Sequence, residues 1–282
     1  MKILSIGDKV LCGTYSFHSG FTHVVNYRNY NCIISFVDKD SFISGRAIRT
    51  SSIPRCVLPV RIDPSGIFIS DSIYPTHTAK IYDSSFSGFS SRRDVELLIL
   101  LIKSTLRTSS PSLSLAVLFE DSLKSTFSST FEKAILCRFL SAYDSLKSGD
   151  VSKCVEQFKG VGFGLTPSGD DFITGLLYAF SSVADSDELT QIKNNILRTA
   201  ENCSPLSFEF MKSAASGSYP IDIKDLFLAA LTKDIDLINK AILNILKHGH
   251  SSGADTAAGI VAGFEWLLKK YSIETEAIRI RG

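Results

Sequence analysis

Long apolar runs are missing from this chain. Even Leu97 to Ile102, among the longest, is far short of the roughly 20 residues that cross a bilayer. The opening Met-Lys-Ile-Leu-Ser-Ile-Gly-Asp-Lys-Val has no apolar core of signal-peptide length. A charge of one sign is missing as well: 30 Lys and Arg stand against 29 Asp and Glu, which leaves no electrostatic footprint for nucleic acid or an anionic membrane. Paired cysteines are the third absence. Cys12, Cys32, Cys56, Cys137, Cys154 and Cys203 are scattered, with no Cys-x-x-Cys pair and no Cys/His cluster of zinc spacing. The expectation is a reduced, cytoplasmic protein with buried, inert thiols and no membrane or nucleic-acid partner.

What remains, 44% hydrophobic and 21% charged residues over 282 positions, has room for a sizeable core and two domains. Up to about residue 90, β-branched and aromatic residues are broken by turn formers. His23–Tyr27, Cys32–Val37, Cys56–Val60 and Gly66–Ile69 read as short strands, with Asp38-Lys39-Asp40, Ser44-Gly45 and Asp63-Pro64-Ser65-Gly66 as turns between them. After Ser90 the period changes. Val95, Leu98, Ile99, Ile102 and Leu106 share one helical face, as do Phe131, Ile135, Phe139, Ala142 and Leu146. Further helices are expected near 150–159, 171–184, 188–201, 205–216, 222–232, 234–247 and 255–271, and segment 111–119 reads either as strand or as helix. The fold class expected is α+β, with a small antiparallel β-rich domain over residues 1–90 and a larger α-helical domain over 91–282.

Within the helical domain, the stretch over residues 160–175 is unusual: Gly-Val-Gly-Phe-Gly-Leu-Thr-Pro-Ser-Gly-Asp-Asp-Phe-Ile-Thr-Gly. Glycines this dense cost backbone entropy and offer no packing, so they mark positive φ or a close backbone approach. Pro167 ends any helix arriving from before it. Ser168 and Asp171 have the spacing of a capping box, and Asp170 is a carboxylate that capping does not require. The pattern recurs downstream: Ser168-Gly169-x-Asp171-x-x-x-Gly175 is matched by Ser252-Gly253-x-Asp255-x-x-x-Gly259, again opening an apolar helix. The repeat predicts two helix starts that face one another across one site. The blander reading is two capped starts whose glycines permit tight helix crossing, and for Asp255 alone capping is a sufficient role.

Amides at a helix N-terminus form an anion site, yet two adjacent aspartates would repel a bare anion there. Two resolutions stay open. Asp170 and Asp171 could hold Mg²⁺, which would bridge to a substrate oxyanion. Alternatively, the carboxylates accept hydrogen bonds from a neutral amide or ureido group while the amides of Gly162, Gly164 and Gly169 take the anion, with the hydroxyls of Thr166 and Ser168 beside it. No Gly-Lys-Ser/Thr follows the glycines, and the preceding segment reads as helix, so neither common nucleotide fingerprint is present. His248-Gly249-His250 precedes the second motif. His250 is the candidate general base or metal ligand, against the plainer roles of solvated or helix-capping histidine. Arg46, Arg49, Arg55 and Arg61 read as cationic strand edges, with an anion-binding fork as the other use.

Gly162-Phe-Gly-Leu-Thr-Pro-Ser-Gly-Asp-Asp-Phe together with Ser252-Gly-Ala-Asp-Thr-Ala-Ala-Gly resembles the AllH-like family, whose members include a subunit of oxamate carbamoyltransferase. The specific match covers roughly residues 150–270. The resemblance implies carbamoyl transfer between a ureido acid such as oxalurate and phosphate, giving oxamate and carbamoyl phosphate, within a multi-subunit assembly. It implies Gly162, Gly164, Leu165, Thr166, Pro167, Ser168, Gly169, Asp170, Asp171 and Gly175, then Ser252, Gly253, Asp255 and Gly259, as the matching positions. The expected function is therefore an enzyme or enzyme subunit of carbamoyl transfer acting on a small anionic metabolite, with other carbamoyltransferase subunits as partners. Asp170, Asp171 and His250 are its candidate catalytic residues. A non-catalytic anion-binding subunit and a metal-dependent phosphate-ester hydrolase are the alternatives.

Overall fold

The structure, a computed structural model, describes residues 1–30, 32–54 and 57–271. Arg55 and Cys56 lie outside the described residues. The backbone divides into two compact units, Met1–Ser85 with Ser218–Lys224, and Phe86–Gly217 with Asp225–Gly282.

In the first unit the strands are β1 (Ile3–Gly7), β2 (Gly13–Gly20), β3 (Val24–Arg28), β4 (Ile33–Val37), β5 (Ala47–Thr50), β6 (Val60–Asp63), β7 (Gly66–Ile69), β8 (Ser72–Tyr74) and β9 (Lys80–Tyr82). They form one sheet in the order β8-β7-β6-β2-β3-β4-β5-β1-β9. The pairing is antiparallel except for β4 with β5 and β1 with β9. Tyr15, Tyr27, Ile34, Phe36, Ile48, Val60 and Ile67 fill its core, as β-branched and aromatic side chains do on a half-buried pleat. Of the strand expected over residues 56–60, Cys56 lies outside the described residues, and residues 57–59 precede the strand that starts at Val60; Pro59 has no N–H to give a ladder. β2, Gly-Thr-Tyr-Ser-Phe-His-Ser-Gly, is a strand without a sequence signal, since only Tyr15 in it is fully buried.

The second unit carries α1 (Arg92–Ser109), α2 (Thr130–Lys147), α3 (Val151–Phe158), α4 (Ser168–Ser181), α5 (Asp187–Ala200) and α6 (Pro205–Ala215). α7 (Ile221–Thr232), α8 (Ile235–Ile245) and α9 (Ser252–Lys270) follow. The architecture is α+β. Segment 111–119 is neither strand nor α-helix, but contains a short 3₁₀ turn, Leu115–Leu118. α2 opens on a capping box, Ser129 with Glu132, each side chain holding the other's backbone amide. Among the described residues no helix is long and apolar enough to cross a membrane.

α4 and α9 are the central pair. Every residue of α4 from Ser168 to Phe180 is buried, as is nearly all of α9 from Gly253 to Leu267, the signature of a helix surrounded on all sides. A methyl group on Gly175 would land on the carbonyl oxygen of Thr256, and one on Gly259 on that of Phe172. Gly263 meets Leu176 and Ala179 one turn further on. Contacts that advance together along both helices mean that α4 and α9 run side by side in the same direction, backbone against backbone, so their N-terminal ends meet. Phe158, at the end of α3, stacks on Phe172 of α4 at 4.2 Å between ring centroids and fixes the approach to that end.

Candidate functional site

The two Ser-Gly-x-Asp motifs open helices in the same way. At the end of α3 the Val161 amide donates to the Phe158 carbonyl at 3.0 Å, and at the end of α8 the His248 amide donates to the Ile245 carbonyl, also at 3.0 Å. Gly169 then donates to the Val161 carbonyl (2.8 Å) and Gly253 to the His248 carbonyl (3.1 Å). Each of these glycines lies so close to the end of the preceding helix that a methyl would strike the carbonyl of Phe158 or Ile245. A left-handed glycine, Gly162 (φ 127°) in one copy and Gly249 (φ 56°) in the other, packs over the serine that follows. The sequence repeat is thus a structural repeat, helix, glycine turn, Ser-Gly-x-Asp helix.

The helix starts differ from expectation in one respect. α4 begins at Ser168 with Pro167 as its N-cap, and α9 begins at Ser252 with Ser251 as its N-cap; neither cap residue's side chain makes a capping hydrogen bond. The motif serines stand one position inside their helices, so the Ser168–Asp171 capping box does not form and Asp255 does not cap. Their side chains are instead turned to one another. Thr166 Oγ1 donates to Asp171 Oδ2 at 3.2 Å and lies 3.3 Å from Ser252 Oγ, which joins the two motifs. Asp255 Oδ1 accepts the backbone N–H of Leu115 at 2.6 Å. That donor, on the segment with ambiguous periodicity, is a member of the site that sequence reasoning missed, because a backbone amide leaves no residue-type signal.

Asp255 and Ser168 are fully buried, and Asp171 is 7% exposed. Among the described residues, Ser168 Oγ and Asp255 Oδ2 have no hydrogen-bond partner. The Ser168 hydroxyl stands near enough to favour the ionised form of Asp255 while falling outside hydrogen-bond geometry. Burial pushes the Asp255 carboxyl up to about 6, against the Leu115 amide. Burial, and then the charge of Asp255, hold Asp171 well above the usual carboxylate range. No ion pair to Lys, Arg or His relieves either group among the described residues. Burial disfavours the charged form of each, and an ionised Asp255 makes ionising Asp171 harder still.

Asp170 has other partners. Its Oδ1 accepts the Gly160 N–H at 2.7 Å and the hydroxyl of Ser207 on α6 lies beside it, while its Oδ2, like that of Asp255, is buried with no hydrogen-bond partner among the described residues. Burial raises its pKa. The adjacent aspartates therefore do not converge on one point, and among the described residues no group of three or more His, Cys, Asp or Glu is placed to hold a metal ion. The donor set does not fit the Mg²⁺ resolution, and no step below is routed through a metal.

Residues 158–264 match the family model described as oxamate carbamoyltransferase subunit AllH. Over this segment the chain is similar to that family. The AllH-like segment runs from the last residue of α3 into α9 and so contains both motifs and both glycine turns. No curated protein and no solved structure matches the chain.

The other predicted positions are dispersed around this centre. Gly164 (φ 87°) and Leu165, 65% exposed, form the outer edge of the first loop. His250 is exposed, and no hydrogen bond ties it to the carboxyl pair. In the sheet unit Arg61 is paired with Asp63 and lies over the Phe68 ring, while Arg49 donates to the Ser41 carbonyl at 2.8 Å. Of the cysteines, Cys32 and Cys154 are buried, but Cys12 and Cys137 are exposed. A depression of about 320 Å³ in the sheet unit is walled by Phe17, Phe21, Ile53 and Pro54, and among the described residues no titratable side chain lines it.

Proposed function

We propose that the chain is a component of carbamoyl transfer of the type oxalurate plus phosphate to oxamate plus carbamoyl phosphate, and that the meeting of the α4 and α9 starts is its substrate site. The observation that supports this most is the pairing of two helix N-termini around Asp171 and Asp255, with Ser168 Oγ and Asp255 Oδ2 buried and unpartnered, inside the AllH-like segment. Each helix end is worth about half a positive charge, which favours a carboxylate or phosphate oxygen there. A carboxyl pair with one proton accepts an N–H from an amide or ureido group through its ionised member and donates through its protonated one.

The same constellation suits the reaction. A phosphate oxygen forms a bond to the ureido carbonyl carbon, the C–N bond breaks, and its electron pair goes to the nitrogen that becomes the amide of oxamate. Negative charge grows on the carbonyl oxygen on the way, and amides at a helix start are placed to stabilise it. The departing nitrogen needs a proton, which the Asp171–Asp255 pair holds.

The test is calorimetric titration of the full chain with oxamate and with carbamoyl phosphate, with and without Mg²⁺. Binding that is independent of Mg²⁺ and at least tenfold weaker in Asp171→Asn is expected. A wild-type chain that binds neither compound would refute the reading. The second reading, a non-catalytic anion-binding subunit, is favoured by the lack of any tie between His250 and the carboxyl pair. It predicts binding with no oxalurate or phosphate released from oxamate plus carbamoyl phosphate.

A further inference from the structure

Asp170 is the one acidic residue at the α4 start without a counterpart at the α9 start, where Ala254 occupies the same place in the motif. The loops also differ: the one before α4 is the longer, and its Gly160, Gly162 and Gly164 all have positive φ, at 70°, 127° and 87°. Val161 is buried and the Phe163 ring meets Phe131 edge-on at 6.1 Å between ring centroids, but the outer glycines bring no packing of their own. A methyl on Gly160 or Gly164 would meet nothing within 4 Å.

We infer that Asp170 is a positioning residue, which fixes the glycine-rich loop to the start of α4 and leaves ligand contact to Asp171 and Asp255. The anchoring bond is from Gly160 N–H to Asp170 Oδ1, 2.7 Å, at the point where the chain leaves α3. It works with the Gly169 amide, one residue before Asp170, which holds the Val161 carbonyl at 2.8 Å. The two bonds close the base of the loop from both sides, so that Gly162, Gly164 and Thr166 are presented at a fixed height above α4. The short loop before α9 has its own closure, Gly253 N–H to the His248 carbonyl, and needs no second bond, so Ala254 suffices there. The reacting pair is present in both repeats, whereas the brace is present only where the loop is long. Asp170 is 1% exposed; the Ser207 hydroxyl on α6 and the Cys203 thiol, in the turn before that helix, are its neighbours. That thiol, pushed up to about 12 by burial and then by Asp170, is an inert companion.

This inference rests on the reading of the loop as the substrate site, and the experiment separates the two. Amide hydrogen exchange over residues 160–166, calorimetric titration with oxamate, and thermal unfolding are measured on the full chain and on Asp170→Asn, Asp170→Ala and Asp171→Asn. An asparagine keeps an oxygen for the Gly160 amide, so Asp170→Asn is expected to bind oxamate within about threefold of wild type with unchanged loop exchange. Asp170→Ala should raise exchange in 160–166 at least tenfold and weaken oxamate binding about tenfold, while exchange at 252–256 stays as in wild type. Asp171→Asn should lose binding without loosening the loop. Unchanged loop exchange in Asp170→Ala would overturn the brace, and so would a loss of binding in Asp170→Asn as complete as in Asp171→Asn. Should the wild type bind no oxamate, the substrate reading fails and the brace is judged on exchange alone. Should Asp170→Ala not fold, Asp170→Asn decides: a chain that needs the carboxylate charge refutes the brace.

Discussion

Replacing Asp255 with asparagine should make this protein more stable at neutral pH. The side chain is fully buried, one of its oxygens has no partner, and burial is the chief reason its carboxyl sits near 6 and not at 3.8. A folded chain that holds this proton more tightly than the unfolded chain is favoured at low pH and loses that advantage as pH rises from about 4 through about 6. At about 1.4 kcal/mol per unit, ionising Asp255 in the folded state costs about 3 kcal/mol at pH 7. The neighbouring charge on Asp171 adds to the cost, since its own carboxyl is raised partly by Asp255. An asparagine removes the charge but keeps an oxygen for the Leu115 amide, and its NH₂ faces the Ser168 hydroxyl.

The expected gain for Asp255→Asn is therefore about 3 kcal/mol at pH 7, or roughly 6–10 °C in Tm, shrinking to under about 1 kcal/mol at pH 4. Scanning calorimetry of both proteins at several pH values reads it directly. A variant less stable than wild type at pH 7, and by a smaller margin at pH 4, would show the carboxylate to be ionised and compensated in the folded chain, and the raised pKa of Asp255 would be wrong. A gain in stability accompanied by loss of oxamate binding would identify Asp255 as a group kept for function at a cost to the fold.

Two further changes test the scaffold. Gly259→Ala puts a methyl onto the Phe172 carbonyl and should cost about 3 kcal/mol, the upper end for overpacking; urea unfolding within about 0.5 kcal/mol of wild type would mean that α4 and α9 are not in backbone contact. Ser129→Ala removes the capping box of α2 and should cost about 1 kcal/mol with no effect on oxamate titration. A change in affinity there would link α2 to the site.

Much of the architecture is written in periodicity. The helical faces of α1 and α2, the strands around Tyr27 and Phe36, and the switch near residue 90 all follow from where apolar residues recur. β2 escapes because it is largely polar with one buried residue, and β9 because it is only three residues long, so no alternation marks them. The left-handed glycines were legible because only glycine is at ease at positive φ. The cap positions were not: Ser-x-x-Asp is the sequence of a capping box, and only the position of Pro167, as the N-cap, moves Ser168 inside the helix. One residue of register turns a structural motif into a set of inward-facing polar groups.

That shift bears on what the repeat is for. A capped helix start satisfies its own amides and gains nothing from meeting a second one. Here the motif side chains make no capping bonds and leave Ser168 Oγ and Asp255 Oδ2 unpartnered among the described residues, and α4 and α9 are locked in parallel by Gly175, Gly259 and Gly263, which brings two positive helix ends together. Parallel dipoles side by side repel, and nothing cationic is needed there; what lowers the energy is negative charge between the ends. Asp171 and Asp255 supply it, one from each repeat. Because burial disfavours ionising both, they supply less than two full charges, and in the proposed function the remainder falls to a ligand oxygen. Duplication of one loop-and-helix unit is thus sufficient to make a site that neither copy could form alone. The two places where the copies differ, the longer glycine loop and Asp170, are where this chain gives the first half of the site its own shape.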